Sequence, residues 1–427
     1  MVKKKVISTI GSFEEEINIK DFLKDFSDET SYENHIAALS HYLHNHHKKM
    51  KKAEKAEIVK AIHDFLSRND ARPVKNIVEK SNVNSLMISE APVQYDLFSP
   101  FFDIPFPSPD KPKFTFIDLF AGIGGFRLAM QNLGGKCVYS SEIDINAQKT
   151  YFHNFGEVPF GDITKDSTKS FIPKEIDVLC GGFPCQAFSI AGYQRGFEDT
   201  RGTLFFDVAK IIKDRRPKAF FLENVKNLKS HDHGKTFKVI KETLESLNYA
   251  VFEEVLNTME YANVPQNRER IFIIGFNKDV VDGWNGFEFP GKMALTHTIH
   301  DCIDYSVSDK SLFYTEKFPH YDLLVKDMKN PDTIYQWRRQ YVRENQSNVC
   351  PTLTANMGTG GHNVPLIITN DGFRKLTPKE CINFQGFPEE YSFPDDISNA
   401  MKYKQAGNSV TVPLIQRVAE NLLKVIL

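Results

Sequence analysis

From Phe114 onward, short β-rich runs alternate with helical stretches, and this rhythm leaves few folds open. Residues 114–120 read as a strand and 125–133 as a helix; 136–140 read as a strand and 145–155 as a helix. The order repeats with a strand at 177–179, a helix at 203–214, a strand at 219–223 and a helix at 234–247. Residues 250–256 and 270–276 add two more strands. Such alternation predicts an α/β fold with a doubly wound, mostly parallel sheet. With 427 residues, 41% of them hydrophobic and 25% charged, the chain has ordinary globular composition and can form one large domain or two to three smaller ones.

The flanks differ from this core. Residues 1–90 are lysine-rich and helical in pattern, as in the amphipathic stretch 53–66, and form an expected N-terminal extension. Within it, 74–83 has the outline of a short helix and turn, as in helix-turn-helix modules; a solvated helical adaptor is the competing reading. His41, His44, His46 and His47 have no Cys or carboxylate cluster beside them, so a metal site is not expected. Residues 91–113 are rich in Pro and Phe and read as a linker. Residues 114–277 form the core, 278–370 break its rhythm as a small domain or large insertion, and 371–427 return to compact helix-forming sequence.

The composition excludes several classes. The six cysteines are scattered without a C-x-x-C pair, which argues against a zinc site or disulfide framework and for a reducing, cytoplasmic setting. No apolar run approaches a membrane span, and the basic N-terminus is not followed by an apolar signal region. The net charge of −2 does not advertise a nucleic-acid partner, although local basic patches remain open.

Two motifs carry chemistry. In Gly181-Gly-Phe-Pro-Cys-Gln-Ala-Phe-Ser189, Cys185 follows a proline inside a small-residue loop just after a strand-like run. Both a buried structural thiol and a nucleophile fit that placement. In Phe116-Ile-Asp-Leu-Phe-Ala-Gly-Ile-Gly-Gly-Phe, a strand passes through a Gly-rich turn into a helix, where a ligand can approach the backbone. Gly122, Gly124 and Gly125 lack the last spacing of the dinucleotide fingerprint, so a phosphate is not demanded. Glu142 at the end of the second strand suits ribose hydroxyls, and Asp162 in Phe-Gly-Asp-Ile suits an adenine amino group. A nucleoside with a non-phosphate tail, such as S-adenosylmethionine (AdoMet), matches this set.

Taken in order, Asp118-Leu-Phe-Ala-Gly-Ile-Gly-Gly, Gly182-Phe-Pro-Cys-Gln, Glu223-Asn-Val, Gln266-Asn-Arg-Glu-Arg, the block from Arg374 to Tyr391 and Gln405-Ala-Gly-Asn-Ser-Val resemble the DNA cytosine-5 methyltransferases of bacterial restriction–modification systems. The stretch from Gly196 to Asp207 resembles that family's mobile loop and following helix. The resemblance implies a Rossmann-like AdoMet-dependent methyltransferase sheet, with residues 278–370 as a target recognition domain. It implies Cys185 as the nucleophile that adds to C6 of a flipped-out cytosine, Glu223 as the acid at N3, Arg270 at the base and Arg268 in support. Arg268 and Arg270 fall two residues apart on an expected strand.

On the cofactor side, the resemblance implies AdoMet held by Phe120, Gly122, Gly124, Glu142, Asp162, Asn408 and Ser409. Ile143 departs from the pattern, because an aromatic residue often follows the ribose-binding acid. Residues 186–202 would close over the base, with Gly192, Gly196 and Gly202 as hinges. The implied DNA contacts are Gln186, Ser189, Arg201, Arg338, Arg339, Arg343, Thr352, Leu353, Gly360 and Gly361, with guanine edges and phosphates as their chemistry. The implied partners are double-stranded DNA and a cognate restriction endonuclease, and a monomer is expected. A tRNA cytosine-5 methyltransferase and a DNA-binding regulator using the N-terminal extension are the alternatives.

Overall fold

The computed structural model describes residues 34, 36–38, 40–41, 87–90, 93–96, 104–184, 204–338, 340–359 and 364–427. A two-stranded antiparallel hairpin, β1 (Met87–Glu90) and β2 (Val93–Asp96), precedes the core. The chain then runs β3 (Phe114–Leu119), α1 (Gly125–Asn132), β4 (Gly135–Ser141), α2 (Ile145–Phe155), α3 (Asp166–Lys169), β5 (Val178–Gly181) and α4 (Leu204–Arg215). It continues through β6 (Ala219–Val225), α5 (Lys235–Ser246), β7 (Tyr249–Asn257), α6 (Thr258–Tyr261), β8 (Gln266–Asn267) and β9 (Glu269–Asn277). Beyond these lie α7 (Tyr321–Asp327), β10 (Tyr335–Arg338), β11 (Tyr341–Glu344), β12 (Cys350–Pro351), β13 (Leu366–Thr369) and β14 (Gly372–Lys375). Three helices close the chain: α8 (Pro378–Asn383), α9 (Asn399–Asn408) and α10 (Val412–Ile426). No helix among the described residues is long and apolar enough to cross a membrane.

The described residues divide between two compact units. One holds β1–β5, α2, α3 and α4, together with the described residues of 34–41. In it, β3 pairs in parallel with both β4 and β5. Phe116, Ile117, Leu119, Val178 and Leu179 are completely buried. Strands covered on both faces are rich in apolar residues, as in Val178-Leu-Cys-Gly of β5. Phe120 follows β3 and Glu142 follows β4, so both sit at the carboxyl edge where α/β sheets bind ligands. Helix α2 starts where the Asp144 carboxylate accepts the Asn146 and Ala147 amides, and it ends at Gly156 in the left-handed region.

The other unit holds α1, residues 182–184 and everything from Ala219. Here β9 lies between β6 and β7 and runs antiparallel to both. Strands β10, β11, β13 and β14 form a separate antiparallel sheet in the order β11-β10-β13-β14. Leu324, Met328, Tyr335, Val342 and Leu366 make the core of this small sheet. The two residues of β12 leave it and pair in parallel with β8, Cys350 against Gln266 and Pro351 against Asn267. Helix α10 turns Val412, Leu414, Ile415, Val418, Ala419, Leu422 and Leu423 inward and packs against α1.

Candidate active site

The end of β6 organises the first half of the site. Glu223 and Asn224 are 8% and 3% exposed. Asn224 donates from Nδ2 to the Phe183 carbonyl at 2.7 Å and accepts the Val225 amide on Oδ1 at 2.8 Å. Its side chain therefore fastens the Gly-Phe-Pro loop that leads to Cys185. Arg270, opposite Val225 on β9, places Nε 3.0 Å from Glu223 Oε1. The other carboxylate oxygen, Oε2, would lie 3.4 Å from a Cβ on Gly182. A nearly buried carboxylate thus has one oxygen held by a guanidinium and the other facing the backbone of the Cys185 loop. Cys185 itself, with Gln186, Ser189, Gly192, Gly196, Arg201 and Gly202, lies outside the described residues, as do Arg339, Gly360 and Gly361.

Arg268 departs from the expected place on one continuous strand with Arg270. It occupies the break between β8 and β9 and is 2% exposed. Its guanidinium donates to the carbonyls of Leu353 (2.8 Å), Ser409 (2.6 Å) and Gly407 (3.3 Å). Three distant carbonyls take the two terminal nitrogens of this buried cation, whose Nε has no hydrogen bond among the described residues. Burial, followed by the neighbouring Arg270 charge, pulls its pKa down to about 9. Leu353, expected at the DNA, is fully buried, and its carbonyl accepts from Arg268.

Three further residues carry this arrangement without having been singled out from the sequence. Asn224 is one. Gln266, fully buried, accepts the Leu353 amide and donates to Phe384 O and Gln385 Oε1. Gly407 is the third, since a Cβ there would lie 2.2 Å from the carbonyl carbon and 2.3 Å from the carbonyl oxygen of Thr354. All three sit inside quoted motifs; a Gln and a Gly in otherwise helical or extended runs were the available signal.

The cofactor candidates fall in both units. In the first, Phe120 holds a left-handed backbone with φ 57°, a strained conformation for a residue with a side chain. Glu142, half-buried, accepts the Asp144 amide at 2.8 Å. Asp162, also half-buried, takes the Thr164 amide and hydroxyl on Oδ1, leaving Oδ2 without a hydrogen bond among the described residues. In the second unit, Gly122 and Gly124 have φ of 55° and 81°, and the first residues of α1 have no side-chain cap. A Cβ on Gly125 would stand 2.7 Å from Val410 Cγ2 and 3.2 Å from Ser409 Oγ. Tyr391 donates to the Ile123 carbonyl and pins the turn. Ser409 is 8% exposed and Asn408 is exposed. In the first unit, two carboxylates and no basic side chain among the candidates suit a ligand with hydroxyl and amino donors and not a phosphate, and in the second the uncapped Gly turn leaves its backbone open to a ligand. Those residues fit AdoMet.

A polar cavity of about 420 Å³ lies elsewhere in the second unit. Asn267 and Glu269 form one side, Thr352, Thr354 and Asn356 another, and Gln336, Trp337, Arg338 and Arg343 a third. Gln336 Oε1 accepts from both Arg338 Nη2 (3.0 Å) and Arg343 Nη2 (2.6 Å), so the two exposed guanidiniums converge on one amide. Thr352 donates to the Asn267 carbonyl at 2.6 Å. Arg338, Arg343 and Thr352 are thereby brought together.

Comparison with known proteins settles the class. The model of the C-5 cytosine-specific DNA methylase family matches residues 114–424. The chain belongs to that family. The type II methyltransferase M.Bsp6I of Bacillus sp. (strain RFL6) is 51% identical over 310 residues, 72% of this chain and 97% of that protein. M.HpaII of Haemophilus parainfluenzae is 44% identical over 361 residues, 81% of this chain and 98% of that protein. M.HhaI of Haemophilus parahaemolyticus is 42% identical over 324 residues, 72% and 93% respectively. The solved structure of Dnmt2 methyltransferase from S. pombe shares the fold, with a TM-score of 0.55 at 16% identity over 73% of this chain and 99% of that one. This C-5 DNA methylase is therefore an enzyme that methylates cytosine in DNA, with AdoMet as methyl donor.

Proposed function

We propose that this methylase acts on a cytosine flipped out of a short specific duplex sequence, with Cys185, Glu223, Arg268 and Arg270 as its catalytic apparatus. The observation that carries the reading is the Glu223 carboxylate, held by Arg270 on one oxygen and facing Gly182 with the other, at the entrance of the loop that continues to Cys185. Flipping is required because the reacting edge of a stacked base is out of reach, and unstacking costs a few kcal/mol.

The Cys185 thiolate adds to C6, which gives the C4–C5 region enamine character. Glu223 holds a proton at N3 and disperses the charge that builds as sulfur adds. Arg270 keeps the Glu223 side chain aimed, and Arg268 ties the β8–β9 break to the carbonyls that frame it. Bound AdoMet supplies an electrophilic methyl for C5; Phe120, Gly122, Gly124, Glu142, Asp162, Asn408 and Ser409 would hold it. A water or hydroxide then removes H5, and Cys185 departs by elimination.

Residues 278–370 serve as the recognition domain in this reading. Arg338, Arg343 and Thr352 line its polar cavity, while Gln186, Ser189, Arg201, Arg339, Gly360 and Gly361 complete the proposed DNA contacts. The protein works as a cytoplasmic monomer that protects DNA from a cognate restriction endonuclease. The test is covalent trapping. Duplex DNA carrying 5-fluorocytosine should form an AdoMet-dependent adduct with the native protein and none with Cys185→Ser; an equal adduct from the variant would remove the nucleophile assignment. Bisulfite sequencing of DNA from an expressing host would read the target sequence.

A further inference from the structure

The N-terminal extension reaches the segment that carries Asp162. Asn34, Ile36, Ala37, Ala38, Ser40 and His41 are helical and at most 2% exposed, so this part of the extension is docked, not solvated. Asn34 accepts the Gly161 amide on Oδ1 at 3.2 Å and donates from Nδ2 to Thr168 Oγ1 at 3.0 Å. Ser40 Oγ accepts the Val158 amide at 2.9 Å. The His41 ring stacks on Phe160 with centroids 5.4 Å apart, and its Nδ1 lies 3.4 Å from Glu157 Oε2, both side chains fully buried. Buried backbone donors must find partners, and here side chains from more than one hundred positions upstream supply them.

Phe160 joins this contact to the sheet. Its amide donates to Ser140 O and its carbonyl accepts the Glu142 amide, each at 2.8 Å. Residues 160–162 are therefore gripped on one side by the end of β4 and on the other by the extension.

We propose that Asn34 is a positioning residue of the cofactor site. By bonding Gly161 it fixes the segment that aims Asp162 and, through Phe160, the end of β4 that bears Glu142. The proposal rests on the reading that Asp162 and Glu142 receive the adenosine part of AdoMet.

The test uses the full chain and AdoMet in titration calorimetry, with donor KM and kcat alongside. Asn34→Ala should raise the Kd for AdoMet about three- to tenfold, with KM for the donor following and kcat moving much less. Hydrogen exchange at the Gly161 amide should quicken. Ser40→Ala loosens the same helix away from Gly161 and should leave the Kd within about twofold, which separates positioning from docking in general. On an Asp162→Ala background, Asn34→Ala should add little, because the two act in series. Thr168→Val, which removes only the Nδ2 acceptor, is the milder variant if Asn34→Ala folds poorly, and it should move the Kd the same way. A raised Kd for Asp162→Ala with unchanged Kd for Asn34→Ala and Thr168→Val overturns the proposal and keeps the cofactor reading. Equal effects of Ser40→Ala and Asn34→Ala overturn it too. An unchanged Kd for Asp162→Ala removes the reading beneath it.

Discussion

The side-chain amide of Asn224 donates to the carbonyl of Phe183 at 2.7 Å, joining the strand that bears Glu223 to the loop that leads to Cys185. Asn224→Ala removes this fastener without touching Glu223 itself. The expected outcome is a fall in kcat of roughly 10- to 100-fold, as for a misaligned nucleophile, with a stability loss of about 1–2 kcal/mol. Single-turnover methylation at saturating DNA and AdoMet measures the first, and urea denaturation the second. Full adduct formation with 5-fluorocytosine DNA at the native rate would contradict the expectation.

Gly407 has no room for a side chain against Thr354 and Ala355. Gly407→Ala forces α9 away from that backbone and should destabilise the protein by about 1–3 kcal/mol. The same shift withdraws the Gly407 and Ser409 carbonyls from Arg268, so methylation should fall as well. Differential scanning calorimetry paired with an activity assay checks both; a neutral Gly407→Ala would show that the two segments slide freely.

Arg374 and Glu380 form a buried two-armed ion pair, with N···O distances of 2.7 and 2.8 Å. Glu380 also accepts the Thr377 and Asp304 amides, capping α8 and holding the chain before it. Arg374→Ala strands a buried carboxylate and should cost about 3–5 kcal/mol. Replacing both partners together, Arg374→Met with Glu380→Leu, should be milder than the single change. Denaturant midpoints decide the order.

Thiol chemistry should single out Cys185. Burial raises the Cys180, Cys350 and Cys381 thiols well above their ordinary range, and Cys302 is pushed up to about 12. Raised values keep these four as unreactive thiols at pH 8, and Cys137 is only 1% exposed. Brief iodoacetamide treatment of the native protein at pH 8, read by peptide mass spectrometry, should mark Cys185 first and abolish methylation in step. Earlier labelling of Cys302 or Cys137 would count against this assignment.

Much of the core was legible because its strands are apolar on both faces and bounded by Gly and Pro. Phe114–Leu119 and Ala219–Val225 fall almost where the apolar runs lie. The direction of β9 was not expected from the strand–helix rhythm. A clue lay in the connection from Asn257 to Glu269, which carries only a four-residue helix and suits a reversal more than a crossover. Arg268 misled because Arg-Glu-Arg mimics a two-residue period, while its actual place is set by carbonyls 85 to 141 residues away in sequence. The burial of Asn34, Ser40 and His41 depends on partners at 157–168 that no local pattern reveals.

The two-residue pairing of β12 with β8 constrains any exchange of the small sheet between relatives. On the proposed recognition role of residues 278–370, a transplanted sheet would need joints that leave Cys350–Gly358 with the recipient, since this stretch pairs with Gln266–Asn267 and packs on α9. Chimeras cut inside it should be insoluble or inactive whatever sequence they were built to read, while those cut outside it should methylate the donor's site.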